Sequence, residues 1–207
     1  MGKDRNRSRS AGLEPETEAR VDAFDEDVRL MLAFCEGDSA AFDALFRRWA
    51  APLLRYLERM LRDPGAAEEL VQEAFLRVHG ARDRYQPEAR FSTWLYRIAT
   101  NLALNELRRP RRRERHESVD AEGAAPLVDS RAPRVDDIVH ARRISERVEA
   151  ELDRLPERQR AALWLASVEG LSYAEVATSL DVSEKAVKSL VHRARSALAD
   201  ALGEAGD

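Results

Sequence analysis

Apolar side chains recur every three or four residues from Val28 to Leu107, lapse, and recur again from Val135 to Leu202. That period is the signature of amphipathic helices laid against a core. In the first stretch it predicts helices over 26–36, 38–61, 65–80 and 91–109. In the second it predicts 135–153, 157–168, 172–179 and 184–201. Gly37-Asp38 reads as a helix stop followed by an N-cap, and Asp63-Pro64-Gly65 as a turn. Pro156 suits the first turn of the 157–168 helix, where a missing amide hydrogen costs nothing. Residues 110–134 carry Pro110, Gly123, Pro126 and Pro133 with few bulky side chains, the composition of a linker. Residues 1–25 are polar without periodicity and read as a disordered tail. The expected architecture is all-α. A four-helix domain over 26–109 and a second helical domain over 135–202 are joined by a flexible linker, 110–134, acidic from residue 116 onward.

Residues 171–198, LSYAEVATSLDVSEKAVKSLVHRARSAL, have the spacing of a helix-turn-helix. Ser172 can cap the first helix, with Glu175 completing a capping box. Val176, Leu180, Val182, Val187 and Leu190 fall where two steeply crossing helices bury apolar groups, and Ala177 where only a small side chain fits. Asp181 holds the turn position that glycine usually takes; aspartate tolerates left-handed geometry at modest cost. Ser183 caps the second helix. Its outer face presents Glu184, Lys185, Lys188, Ser189, His192, Arg193 and Arg195. A recognition helix reads base edges near its N-terminus and meets phosphates along its length. A plain helical hairpin is the bland alternative, and His192 is more simply a phosphate neighbour than a metal ligand.

Composition supports helices: Ala, Leu, Arg and Glu dominate and β-branched runs are few. The single cysteine, Cys35, excludes an internal disulfide and a cysteine-rich zinc site. No apolar run approaches the ~20 residues that cross a bilayer, and no signal-peptide core is present, so a cytoplasmic protein without membrane insertion is expected. The formal net charge of −4 hides a partition. Residues 14–27 hold seven acids and one arginine, residues 82–115 hold ten arginines against four acids, and residues 116–137 hold six acids and two arginines. Only the regional view shows a basic stretch able to meet a polyanion.

That basic stretch contains RDRYQPEARFSTWLYRIATNLALNELRR (82–109). Phe91, Trp94, Leu95, Ile98 and Leu102 form an apolar stripe. Arg97, Asn101, Asn105 and Arg108 recur on another face. Arginine neutralises phosphate, asparagine hydrogen-bonds base edges, and Tyr85 in the preceding loop can stack an unpaired base. The same face also fits an ordinary solvated helix surface.

With both domains read, the chain resembles the extracytoplasmic-function (group IV) σ70 factors of bacterial RNA polymerase, over about residues 27–202. DPGAAEELVQEAFLRVH (63–79) is similar to the region 2 helix that docks on the polymerase β′ clamp. RYQPEARFSTWLYRIATNLALNELRR (84–109) is similar to the −10 recognition segment. LPERQRAALWLASVEGLSYAEVATSLDVSEKAVKSLVHRARSAL (155–198) is similar to region 4, which binds the −35 element. The resemblance implies a σ2-like and a σ4-like domain. It implies −10 DNA binding by Tyr85, Arg97, Asn101, Asn105 and Arg108, with Asn101 reading a base and Tyr85 in the loop that holds a flipped one. It implies −35 binding by Ser183, Glu184, Lys185, Lys188, Ser189, His192, Arg193 and Arg195. Core polymerase binding falls to Glu68, Glu69, Gln72 and Glu73, while Phe75 and Trp94 are expected in the core. The implied partners are the polymerase core (β′ clamp and β flap), promoter DNA and an anti-σ factor. No catalytic constellation, cofactor or metal is expected, since the polymerase performs the chemistry.

Geometry permits two-site reading. Contact sites ~16 base pairs apart lie ~55 Å apart along the duplex, and an extended linker of ~20 residues reaches ~66–72 Å. Two other functions compete: a stand-alone helix-turn-helix regulator, which leaves the first domain unexplained, and a σ-like decoy that sequesters an anti-σ factor, which should lack the basic DNA-facing residues.

Overall fold

The computed structural model describes residues 26–109 and 147–203. The expected tail, the linker and the 135–146 part of an expected helix lie outside them. Helix α1 covers residues 26–35. It stops at Gly37, whose φ of 109° only glycine adopts without strain. Asp38 then caps α2 (Ser39–Leu61), accepting from the Ala40 amide at 2.9 Å. Arg62 ends α2 in the left-handed region, φ 56°, its amide bonded to the Glu58 carbonyl. Asp63 caps α3 (Pro64–Gly80) through the Ala66 amide at 3.0 Å, with Pro64 as the first helical residue. The turn expected at Asp63-Pro64-Gly65 is thus a helix start; the reversal itself falls at Arg62. A short 3₁₀ turn, Arg82–Arg84, leads through a loop to α4 (Phe91–Arg108).

These helices enclose an aromatic core. Tyr56 of α2 and Tyr96 of α4 meet edge to face, ring centroids 5.3 Å apart, and both are fully buried. The Tyr56 hydroxyl pairs with Thr100 Oγ1 at 2.7 Å, a buried hydrogen bond that fixes α4 against α2. Burial first of all holds the Tyr56 phenol well above its ordinary range, so it stays neutral. Phe75 is in the core, 3% exposed.

The second module begins with α5, residues 147–154. Pro156 lies one position earlier than expected: it is the N-cap of α6 (Glu157–Ser167), and its carbonyl accepts from the amides of Gln159 and Arg160. Helices α7 (Tyr173–Leu180) and α8 (Glu184–Gly203) form the helix-turn-helix. Ser172 and Glu175 make both halves of the capping box, at 3.3 and 2.8 Å. Asp181 adopts φ 53°, as the turn requires, and Ser183 Oγ accepts from the Ala186 amide. Val176, Leu180 and Val187 are buried, and Ala177 is 9% exposed where the helices cross.

The two modules share one apolar core. Helix α4 packs on α7, and α2 touches α6. No strand occurs among the described residues.

Candidate nucleic-acid interface

The 3₁₀ turn and the loop after it lie beside the first turns of α4 and leave a cleft of about 480 Å³ between them. Arg84, Tyr85, Gln86, Trp94 and Arg97 line it from the first module, and Thr178 of α7 from the second. Tyr85 packs on the Trp94 indole, centroids 5.0 Å apart, and Trp94 in turn meets Phe91 at 5.9 Å. Trp94 is half-buried, so it braces the loop and also shows one edge to the cleft. Burial pushes the Tyr85 phenol up to about 12. Its hydroxyl is buried and has no hydrogen-bond partner within the described residues. An aromatic pair and two arginines offer a stacking face and phosphate contacts to an unstacked base, and Glu88 lines the same cleft, whereas the buried Tyr85 hydroxyl does not open into it.

Arg97, Asn101, Asn105 and Arg108 are all exposed, as the helical period requires. The structure does not gather them in one place. Arg97 lines the Tyr85 cleft, whereas Asn105 lines a separate groove between α3 and α4 with Glu69, Glu73 and Arg77. Asn101 stands between them along α4, exposed, and is followed by the buried Leu102 at 7% exposure.

On α8, Glu184, Lys185, Lys188, Ser189, His192, Arg193 and Arg195 are all exposed, and Ser183 before them likewise. Lys188 Nζ lies 3.3 Å from Glu184 one turn back, so part of its charge is matched. Arg193 Nε donates to the Ser189 carbonyl.

On α3, Glu68, Glu69 and Gln72 are exposed, and the partly buried Glu73 pairs with Arg77 at 2.8 Å. Sequence reasoning missed two neighbours. Leu76 is 67% exposed and Phe46 of α2 is 41% exposed, its ring 4.7 Å from Phe75. Leu76 could have been found, since it stands one turn beyond Gln72 on the polar face. Phe46 carries no such signal.

A basic aromatic cleft on one helical module and a capped helix-turn-helix on another define the σ70 class of transcription factor. Residues 45–113 match sigma-70 region 2, and residues 145–198 match sigma-70, region 4. The ECF RNA polymerase sigma factor SigE of Mycolicibacterium smegmatis is 37% identical over 187 residues, 89% of this chain and 71% of that protein. The RNA polymerase sigma-H factor of Pseudomonas aeruginosa is 35% identical, over 86% of this chain and 94% of its own length. The structure of CnrH in complex with the cytosolic domain of CnrY is similar with a TM-score of 0.63 and 25% identity, covering 88% of this chain and 99% of that one. The fold is shared also with RpoE of Bartonella quintana, solved with the anti-sigma factor NepR (TM-score 0.60, 24% identity, 78% of this chain and 96% of that one). The chain belongs to the extracytoplasmic-function sigma factors of the σ70 family. Among the described residues no helix is long and apolar enough to cross a membrane.

Proposed function

We propose that the chain docks on core RNA polymerase and supplies its promoter specificity, with residues 26–109 acting as region 2 and residues 135–202 as region 4. The observation that carries this is the Tyr85–Trp94 cleft beside the Arg97–Asn101 face, in the same chain as a helix-turn-helix with an open basic face. In this reading α8 enters the major groove near −35. Lys185, Lys188, His192, Arg193 and Arg195 meet phosphates and base edges, Glu184 and Ser189 face the groove, and Ser183 brings the helix N-terminus to the backbone.

Region 2 captures a base extruded from the −10 element. Unstacking costs a few kcal/mol, and stacking on an aromatic returns ~1–3 kcal/mol per base. Tyr85 and Trp94 supply the stacking surface, Asn101 the base-edge contact, and Arg97 and Arg108 the phosphate contacts. Asn105 serves at the edge of the α3 groove. The polymerase β′ clamp sits on Glu68, Glu69, Gln72 and Glu73 with the exposed Leu76 and Phe46 as its apolar anchors, since exposed large apolar side chains beside a charged helix face suit a docking surface. Region 4 meets the β flap. No bond is made or broken by this chain, which works in the cytoplasm.

Control comes from a separate anti-σ factor. Support for that is the family itself, in which B. quintana RpoE was crystallised with one.

The test is footprinting of the purified chain on genomic promoter fragments, with and without core polymerase. Specific protection at both −10 and −35 only in the presence of core supports the reading. Specific protection by the chain alone would instead make it a stand-alone regulator.

A further inference from the structure

None of the residues assigned above to DNA or polymerase lies on α1, yet this helix backs both walls of the Tyr85–Trp94 cleft. Near its N-terminal end Asp27 is 5% exposed. One of its carboxylate oxygens accepts from Arg48 Nη1, and the other accepts from the Trp49 indole Nε1 at 3.2 Å. The second bond fixes how the indole is turned. The Trp49 ring then meets Phe91, the first residue of α4, with centroids 6.4 Å apart. Phe91 meets Trp94 at 5.9 Å, and Trp94 carries Tyr85 at 5.0 Å. A carboxylate on α1 thus orients the first ring of a file that ends in the stacking face.

Near the C-terminal end of α1, Phe34 is 3% exposed, and the Arg82 guanidinium lies over its ring, 5.6 Å from the centroid. Arg82 opens the 3₁₀ turn that delivers Arg84 and Tyr85 to the cleft. The Arg82 Nε is buried with no hydrogen-bond partner among the described residues, and the carboxylate it faces, Asp83 at 3.5 Å, is 92% exposed on the same turn. An ion pair between neighbours on one turn cannot tie that turn to another element. The Phe34 ring is what Arg82 holds on α1. Arg82 belongs to the basic stretch of the sequence but does not line the cleft, so its charge serves the scaffold.

We propose that Asp27 and Arg82 are positioning residues for base capture. Asp27 acts through Trp49, Phe91 and Trp94, and Arg82 acts through Phe34. Together they set the two walls of the cleft before a base arrives. A loop that must be ordered on binding loses part of its stacking energy to that ordering, whereas a preset one does not. The proposal rests on the promoter-reading assignment above, and in it neither residue touches DNA.

The experiment uses the full chain with core polymerase and a promoter fragment that the wild-type holoenzyme protects at −35. Arg82→Gln and Asp27→Leu remove the two ties. Arg82→Lys keeps a cation over the Phe34 ring, and Asp27→Asn keeps an oxygen for the Trp49 indole. Hydrogen exchange of the free chain reads the loop, permanganate reactivity of unpaired −10 thymines reads opening, and the −35 footprint reads loading. Arg82→Gln and Asp27→Leu should speed amide exchange over residues 82–90 ~10-fold and leave α8 unchanged. Opening at equal −35 occupancy should fall ~3–10-fold, the scale of one lost cation–π contact or hydrogen bond. The two conservative variants should stay within ~2-fold of wild type. Loss of a direct phosphate contact would flatten the salt dependence by about one counterion, and Arg82→Gln should not. A flatter dependence makes Arg82 a DNA contact and overturns its positioning role. Unchanged exchange over 82–90 overturns the bracing, and faster exchange with unchanged opening overturns its bearing on base capture. Opening that falls only in step with −35 protection and core co-elution marks a purely structural role and overturns the proposal as well. If wild type protects no fragment, the promoter-reading assignment fails and the proposal falls with it. With a protected fragment in hand, each failure belongs to the positioning alone.

Discussion

Thr100→Val tests whether the buried Tyr56–Thr100 bond holds the −10 helix in place. Valine has nearly the shape of threonine, so packing volume is kept and the change is electronic. In the wild-type chain both residues are 0% exposed and their oxygens are 2.7 Å apart. The substitution leaves the Tyr56 hydroxyl buried with no partner, a penalty of ~1–3 kcal/mol. Tyr56→Phe should cost less, ~0.5–1.5 kcal/mol, because Thr100 can turn its hydroxyl to the carbonyl one helical turn back. Removing both groups leaves nothing unsatisfied, so the double variant should be more stable than Thr100→Val alone. Urea unfolding of the full chain, followed by the fluorescence of its three tryptophans, reads these differences. A loss of ~2 kcal/mol should lower the melting temperature by ~4–8 °C in a chain of this size. If Thr100→Val unfolds within ~0.3 kcal/mol of wild type, or if the double variant is the weakest of the three, the bond does not bear the weight assigned to it.

Asn101→Ala should reduce transcription from a cognate promoter ~10-fold or more while core binding, measured by co-elution, is unchanged; this is the loss of one buried base contact of ~1–3 kcal/mol. Lys185→Ala with Lys188→Ala should weaken the −35 footprint and flatten its dependence on salt by about two counterions, and an unchanged footprint means α8 is not the reading helix. Leu76→Asp should weaken association with core polymerase ~10-fold or more, as expected for an apolar anchor at the centre of an interface, and leave the thermal midpoint within ~2 °C, since Leu76 is already exposed.

Helix limits were legible at three of the side-chain caps, whereas Asp63, which caps α3, reads in the sequence as part of a turn. Asp38, Ser172 with Glu175, and Ser183 each make the cap their sequence position announces. Proline was harder. Pro64 opens α3 and Pro156 precedes α6, because the ring fixes φ without saying whether the residue lies just inside or just outside the helix. The exposed faces of α4 and α8 followed from the helical period, since a buried stripe on one side determines the other. How those faces share out did not follow. Arg97 and Asn105, two turns apart on one stripe, line different grooves because α3 and the Tyr85 loop flank α4 at different heights. The packing of α7 on α4 left no trace in the pattern. Ser179 and Arg160 look like surface residues by type, yet both are buried, one bonded to a carbonyl 86 residues away and the other to a carbonyl 101 residues away. Contacts of that separation have no period, and a polar residue reveals its burial only when its partner is known.

If the chain acts as proposed, it gives RNA polymerase a promoter specificity that the core enzyme lacks. The most direct measurement is single-round transcription in vitro with core polymerase on a library of promoter fragments, in the absence of any inhibitor. Start sites should appear only when the chain is added and should share a −10 and a −35 element ~16 base pairs apart, ~55 Å of duplex. Transcripts no different in position or number from those of core polymerase alone would contradict it.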